Sequence, residues 1–103
     1  MTERRGFYAG FIRLHVLHHA GEGPVFGLGM IEELGRHGYR LSPGTLYPIL
    51  HGLERQGLLR SRLVYGDDGR RRRVYAATPA GLRALAAAKV KVRELFGELF
   101  DHL

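Results

Sequence analysis

Residues 42–59 read SPGTLYPILHGLERQGLL, and this stretch decides the fold of the 103-residue chain. Ser42 suits a helix N-cap, and Pro43 suits the first helical position, where its missing N–H would have had no partner. Leu46, Ile49, Leu50 and Leu53 then recur at helical spacing and mark an inward face. Thr45, Tyr47, His51 and Arg55 are left to face outward. Pro48 is discordant, because inside a helix it deletes one backbone bond and should kink the rod, at a cost of ~3 kcal/mol. The apolar spacing nevertheless runs on to Leu53, and Gly57 terminates the element. A helix over 43–56 is predicted.

Downstream, Leu58–Tyr65 and Arg72–Thr78 are strand-like. Between them Gly66-Asp67-Asp68-Gly69 carries an Asp-Gly pair, the signature of a hairpin turn. Upstream, a helix is predicted over 27–37, with Leu28, Ile31 and Leu34 on one face and Glu32, Glu33 and Arg36 outside. Gly38 ends it, and Tyr39-Arg40-Leu41 forms the turn into the 43–56 helix. An earlier helix is predicted over 6–20, GFYAGFIRLHVLHHA, broken by Gly21-Glu22-Gly23-Pro24. Phe7, Phe11, Leu14 and His18 share a face of it, with Ile12, Val16 and Leu17 beside them. So broad an apolar surface predicts contact with its own domain and with something further.

Thr78-Pro79 supplies an N-cap and a proline at the first position of a last helix, which is predicted to reach the C-terminus. Along it Leu82, Leu85, Lys89, Val92, Phe96, Leu99 and Leu103 alternate in steps of three and four, as in a coiled-coil seam. Lys89 on that seam is the sort of polar residue that fixes register. The helix could instead pack on its own domain, but its length and the broad face of the first helix favour a dimer. The predicted fold class is therefore mainly α with a small β-hairpin: a winged helix-turn-helix over 1–78, its wing at 58–78, flanked by N- and C-terminal dimerisation helices, the latter at 79–103. Phe7, Phe11, Leu14, Leu85, Lys89, Val92, Phe96, Leu99 and Leu103 are the expected dimer contacts.

Charge is unevenly spread. Of the net +6, residues 58–78 hold six arginines against Asp67 and Asp68, whereas the flanking segments are nearly balanced. Such a concentration fits an electrostatic footprint for phosphates; a solvated basic loop is the plainer alternative. In a helix-turn-helix the second helix enters the major groove through its N-terminal residues. Here that end is Ser42, Pro43, Gly44, Thr45 and Tyr47, whose hydroxyls can meet phosphates or base edges and whose small residues permit close approach. Ser42 has a competing role, since a capping hydroxyl is occupied by backbone. His51 and Arg55 extend the surface. Arg70, Arg71, Arg72 and Arg73 alternate on their strand, so one pair, 71 with 73 or 70 with 72, faces DNA. Arg60 and Arg62 share a face of the opposite strand. Asp67 and Asp68 are read as turn-formers.

Other chemistry finds little footing. The chain has no cysteine, so disulfides, thiolate metal sites and cysteine nucleophiles are excluded. Phosphate-cradling glycine loops, nucleophile elbows and paired-carboxylate motifs are missing, and no enzyme is expected. Of the six histidines, His15 and His18 could share a helix face, but no carboxylate lies near them in sequence. They are read as interface packing, and neither a metal ion nor another cofactor is expected. No apolar run reaches membrane-spanning length and MTERRGF lacks a signal-peptide core, so the expected location is the cytoplasm, at the nucleoid through DNA, with no membrane partner.

The segment Pro24–Leu59 with the hairpin resembles the PadR family of bacterial winged-helix transcriptional regulators. The resemblance rests on Gly23-Pro24, Gly27, Ser42-Pro43-Gly44-Thr45-Leu46-Tyr47-Pro48, Leu53-Glu54 and Gly57-Leu58-Leu59. Arg73-Val74-Tyr75 and Thr78-Pro79-Ala80-Gly81 extend it, and the family carries proline where Pro48 stands. It implies a homodimer built from the first and last helices, bound to an inverted-repeat operator, usually as a repressor. An end near residue 103 resembles the short subfamily, without a large C-terminal effector domain. Phe26-Gly27-Leu28 replaces the family's frequent His-Gly-Tyr. Some short members hold flat aromatic drugs between interface tryptophans; this chain has no tryptophan, so that pocket does not carry over; Phe96 and Phe100 could line a different one, but are read as core packing. The expectation is a dimeric, sequence-specific DNA-binding repressor, relieved by a small-molecule effector where one exists. The alternative is a winged-helix protein-interaction module whose arginines meet an acidic partner.

Overall fold

The computed structural model describes residues 6–101. Among the described residues, four helices, α1 (Ala9–Glu22), α2 (Gly27–Arg36), α3 (Pro43–Arg55) and α4 (Pro79–Leu99), accompany strands β1 (Val25–Phe26), β2 (Leu59–Tyr65) and β3 (Arg71–Ala77). The fold class is the predicted one, a mainly helical winged helix-turn-helix. The sheet has a third strand that the sequence did not announce, in the order β1-β3-β2 and all antiparallel. Two residues are too few to show alternation, which is why β1 was invisible.

Helices α2 and α3 end alike. Gly38 and Gly57 take positive φ, 89° and 79°, a conformation that costs glycine little. After α2, Tyr39 N–H donates to Leu34 O at 2.9 Å and Gly38 N–H to Gly35 O at 3.0 Å. After α3, Leu58 N–H and Gly57 N–H repeat this with Leu53 O and Glu54 O, both at 2.9 Å. Both are Schellman endings, and each satisfies two orphan carbonyls.

The N-termini differ. Thr78 Oγ1 accepts from Gly81 N at 2.9 Å and donates to Gly57 O at 2.6 Å, so this cap joins α4 to the end of α3. Ser42 occupies the N-cap position of α3, but its hydroxyl makes no capping bond and points to Thr45 Oγ1 at 3.4 Å. The backbone does not occupy it, contrary to expectation. Pro48 sits inside α3, which is continuous from Pro43 to Arg55.

The core draws Ile12, Val16 and Leu17 from α1, Met30 and Leu34 from α2, Leu46, Leu50 and Leu53 from α3, and Leu59 and Tyr75 from the sheet. Burying each such side chain contributes ~1.5–3 kcal/mol. Expectations for three helices need correction. Helix α1 runs through Gly21 to Glu22, and the break falls at Gly23-Pro24. In α2, Leu28 points outward and Met30 inward, because Gly27, Met30 and Leu34 form the buried stripe. Helix α4 ends at Leu99, with Phe100 at its C-cap, short of the predicted run to residue 103, and its Leu85, an expected dimer contact, packs into the core of its own domain. A Cβ on Gly81 would overlap the Leu58 carbonyl, so α4 docks there only because residue 81 lacks a side chain. No helix of the described residues is long and apolar enough to cross a membrane.

Candidate nucleic-acid interface

Tyr47, His51 and Arg55 are one helical turn apart on the exposed face of α3, with the Tyr47 and His51 rings 6.2 Å apart. Ser42, Pro43 and Gly44 at its start are exposed and Thr45 is half-buried. The first turn carries no acidic residue, so the partial positive charge of the helix N-terminus is uncompensated. Tyr47 leans back over α2, where a Cβ on Gly27 would overlap its hydroxyl. Gly27 thus admits the tyrosine, and its buried position in α2 follows from that contact.

The hairpin register pairs Leu63 with Arg73 and Tyr65 with Arg71. Cross-strand partners share a face, so Arg71 and Arg73 lie on the face of Tyr75, which is turned toward the helices. Arg60, Arg62 and Arg72 lie on the other face. Arg72 stacks over the Phe26 ring at 5.9 Å and reaches Asp68 Oδ2 at 3.4 Å, while Arg70 Nε is 3.9 Å from the same oxygen. Asp68 also accepts from Arg70 N–H at 3.0 Å, closing the turn, so it is a turn-former as read. Its charge offsets the 70/72 pair. The alternation thus separates the two pairs by sheet face and by their acidic neighbour.

One hydrogen-bonded chain ties wing to helix. Arg73 Nη1 donates to Ser61 Oγ at 3.1 Å, and Ser61 donates through Oγ, at 2.8 Å, and through its backbone N–H, at 3.2 Å, to Glu54 Oε2. Beneath it Tyr75 is fully buried, and its hydroxyl has no hydrogen-bond partner among the described residues. Burial, reinforced by Glu54 and opposed by Arg73, pushes this phenol above its ordinary range. Glu54 and Ser61 escaped sequence reasoning, because a lone carboxylate on a helix signals nothing until the strand register places Ser61 beside it.

The profile of the Transcriptional regulator PadR-like family matches residues 16–87. The chain belongs to that family. The transcriptional regulator Rv3488 of Mycobacterium tuberculosis is 54% identical to this PadR-like chain over 97 residues, which cover 92% of it and 88% of the relative. A PadR family transcriptional regulator from Eggerthella lenta shares 29% identity at a TM-score of 0.81, covering 97% of this chain and 88% of that one. A PadR-like transcriptional regulator from Bacillus cereus superposes with a TM-score of 0.84 at 23% identity, covering 93% and 94% respectively, a likeness of fold. The PadR-like chain is therefore a transcriptional regulator by family.

Six of its expected dimer residues, Phe11, Leu14, Leu85, Lys89, Val92 and Phe96, meet at one cleft. Phe7, Phe11, Val92, Phe96 and Leu99 are exposed large apolar side chains. Leu14 packs partly on the core, and Lys89 is exposed. Between α1 and α4 runs an open apolar cleft of about 550 Å³, lined by Phe11, Leu14, His15, His18, Leu85, Lys89, Val92, Arg93 and Phe96. Phe96 and Phe100 contact each other at 4.9 Å and are each 50% exposed, so they are not core packing in this chain. Leu103 lies outside the described residues.

The histidines of this PadR-like chain do have carboxylates nearby, against expectation. His18 Nε2 lies 3.6 Å from Glu22 Oε2, and His19 Nε2 lies 3.5 Å from Glu33 Oε2. Sequence distance hid Glu33, which the packing of α2 against α1 delivers. His15 stacks on His37 at 4.6 Å. Burial, with His37 and His19 adding, lowers its pKa below the ordinary imidazole value. The hydrogen bond with His37, helped by Arg36 and His19 against some desolvation, lowers that of Glu33.

Proposed function

We propose that the chain is a dimeric, sequence-specific DNA-binding repressor that grips an inverted-repeat operator. The exposed line Tyr47, His51 and Arg55 on α3, flanked by Arg71 and Arg73 on a wing tied to that helix, carries the proposal. The N-terminal end of α3, from Ser42 to Tyr47, enters the major groove, and Arg71 and Arg73 hold the adjoining backbone. The exposed apolar residues of α1 and α4 join two copies, so that two recognition helices reach successive grooves about 34 Å apart. Repression follows the usual behaviour of the family, and so does a small effector that releases DNA by binding one spacing of the two helices more tightly than the other. Such a protein acts in the cytoplasm, at the nucleoid.

A mobility shift on random duplex and on fragments selected from genomic DNA, repeated at rising salt, tests this. Binding should fall linearly with the logarithm of salt, with selected fragments surviving to higher salt. Failure to shift either DNA, with capture of an acidic polypeptide instead, would support the rival protein-interaction module.

A further inference from the structure

Three imidazoles from two helices converge outside the proposed DNA surface, which none of them belongs to. His15 and His19 stand one turn apart on α1, and His37 caps the C-terminus of α2. One ring nitrogen from each lies within 4.8 Å of those of the other two. Glu33, a turn before His37, places Oε2 3.1 Å from His37 Nε2 and 3.5 Å from His19 Nε2, while Arg36 holds its other oxygen.

We propose that His15, His19 and His37 form a binding site for one borderline divalent transition-metal ion such as zinc, with Glu33 as the supporting carboxylate. The donor set selects the class of ion. Imidazole suits zinc and its neighbours, whereas magnesium and calcium demand oxygen ligands that this cluster lacks. Spacing fits as well. A tetrahedral zinc with bonds of about 2.0–2.1 Å holds its ligand atoms about 3.3 Å apart, so the nitrogens need close by at most roughly 1.5 Å. The exposed His37 ring can supply much of that by rotation. The two α1 histidines already have the i, i+4 spacing that presents both rings to one ion.

The surroundings support the ligands as a metal site requires. Tyr39, itself packed on the core, meets His15 edge-on at 5.5 Å and fixes its ring. Glu33 orients His19 and His37 and offsets part of the cation's charge, as carboxylates behind zinc-bound imidazoles do. A second grouping, His18, His19 and Glu22, competes for His19. All its ligands come from one helix end, and His18 and Glu22 are exposed. The first grouping draws on two helices, and His15 and His19 are half-buried. An ion there would lock α1, which carries the apolar face, to the first helix of the helix-turn-helix.

Tag-free protein stripped with chelator and titrated with zinc by calorimetry, with elemental analysis after dialysis, tests the site. One zinc per chain is expected. His37→Ala and Glu33→Gln should each weaken binding about tenfold or more, and zinc should raise the unfolding temperature of the parent but not of His37→Ala. His37 is exposed at a helix end, so its loss leaves the fold intact, which circular dichroism verifies. His18→Ala should bind zinc as the parent does. Absence of saturable binding, or binding that survives His37→Ala but is lost in His18→Ala, overturns the proposal.

Discussion

The Ser61 hydroxyl donates to Glu54 Oε2 across 2.8 Å, and this bond ties the wing to α3. Ser61 simultaneously accepts from Arg73, so the guanidinium is held against the helix side of the hairpin rather than trailing in solvent. A long arginine loses rotamer freedom whenever it binds phosphate. Under the proposed function, part of that loss is already met here, because the hydrogen bond to Ser61 holds Arg73 in place without DNA.

Arg71 and Arg73 share this face, so their joint removal should act on every sequence alike. Arg71→Ala with Arg73→Ala should weaken operator and random duplex by similar factors. The slope of log affinity against log salt should shrink by about 1.8, from roughly 0.9 per phosphate contact. The matching double variant at Arg70 and Arg72, whose charge Asp68 offsets, should change the slope less. Equal effects from both pairs would show that the sheet faces are assigned wrongly.

Gly27 offers a way to move Tyr47 without deleting it. The atom that an added Cβ would overlap is the far end of a side chain, which can swing aside, so Gly27→Ala should fold normally. It should displace the Tyr47 ring from α2 and lower operator affinity while leaving random-duplex affinity nearly unchanged. Tyr47→Phe, which keeps the ring, separates loss of the hydroxyl from loss of position. Mobility shifts on both duplexes check the pair; parent-like operator binding by both variants would remove Tyr47 from the reading surface.

Much of this was legible in sequence because particular residues have few conformational options. Pro43, Gly38, Gly57 and Thr78-Pro79 each mark a terminus that the structure places within a residue or so. Legibility failed where tertiary packing decides. Leu28 has the right spacing for the core, yet Gly27, covered by Tyr47, shares the buried stripe with Met30 and Leu34 and leaves Leu28 exposed. Leu85 belongs to the apolar seam of α4, but only the docking of α4 at Gly81 reveals that this one seam residue is already buried, while Leu82 and Lys89 stay exposed. The His15, His19 and His37 cluster was hidden for a similar reason, since its third imidazole and its carboxylate come from another helix.

Gly81 should be among the least replaceable residues for stability. The overlap of an added Cβ there is with the Leu58 carbonyl, a backbone atom that also accepts from Thr78 N–H at 3.1 Å. Relief requires α4 to shift from the end of α3, which disturbs the Thr78 cap. Gly81→Ala should destabilise by about 1–3 kcal/mol, the usual cost of overpacking, despite the better helix propensity of alanine. Urea unfolding measures it; an unchanged midpoint would mean that α4 does not dock there.

The second half of α4 should decide assembly instead. Val92, Phe96 and Leu99 are exposed, and Phe96 lines the cleft against α1. Carboxylates at these positions cost little in an isolated chain but would be desolvated and mutually repelled between two copies. Phe96→Asp with Leu99→Asp should therefore leave the urea midpoint of the monomer fold close to that of Gly81-intact parent under dissociating dilution. Its sedimentation coefficient should fall to that of one chain at micromolar concentration. Operator affinity should fall with it, because one half-site must then be held without the other, while weak binding to random duplex persists through the intact wing. A double variant that sediments as the parent does would place the dimer contact elsewhere on the molecule.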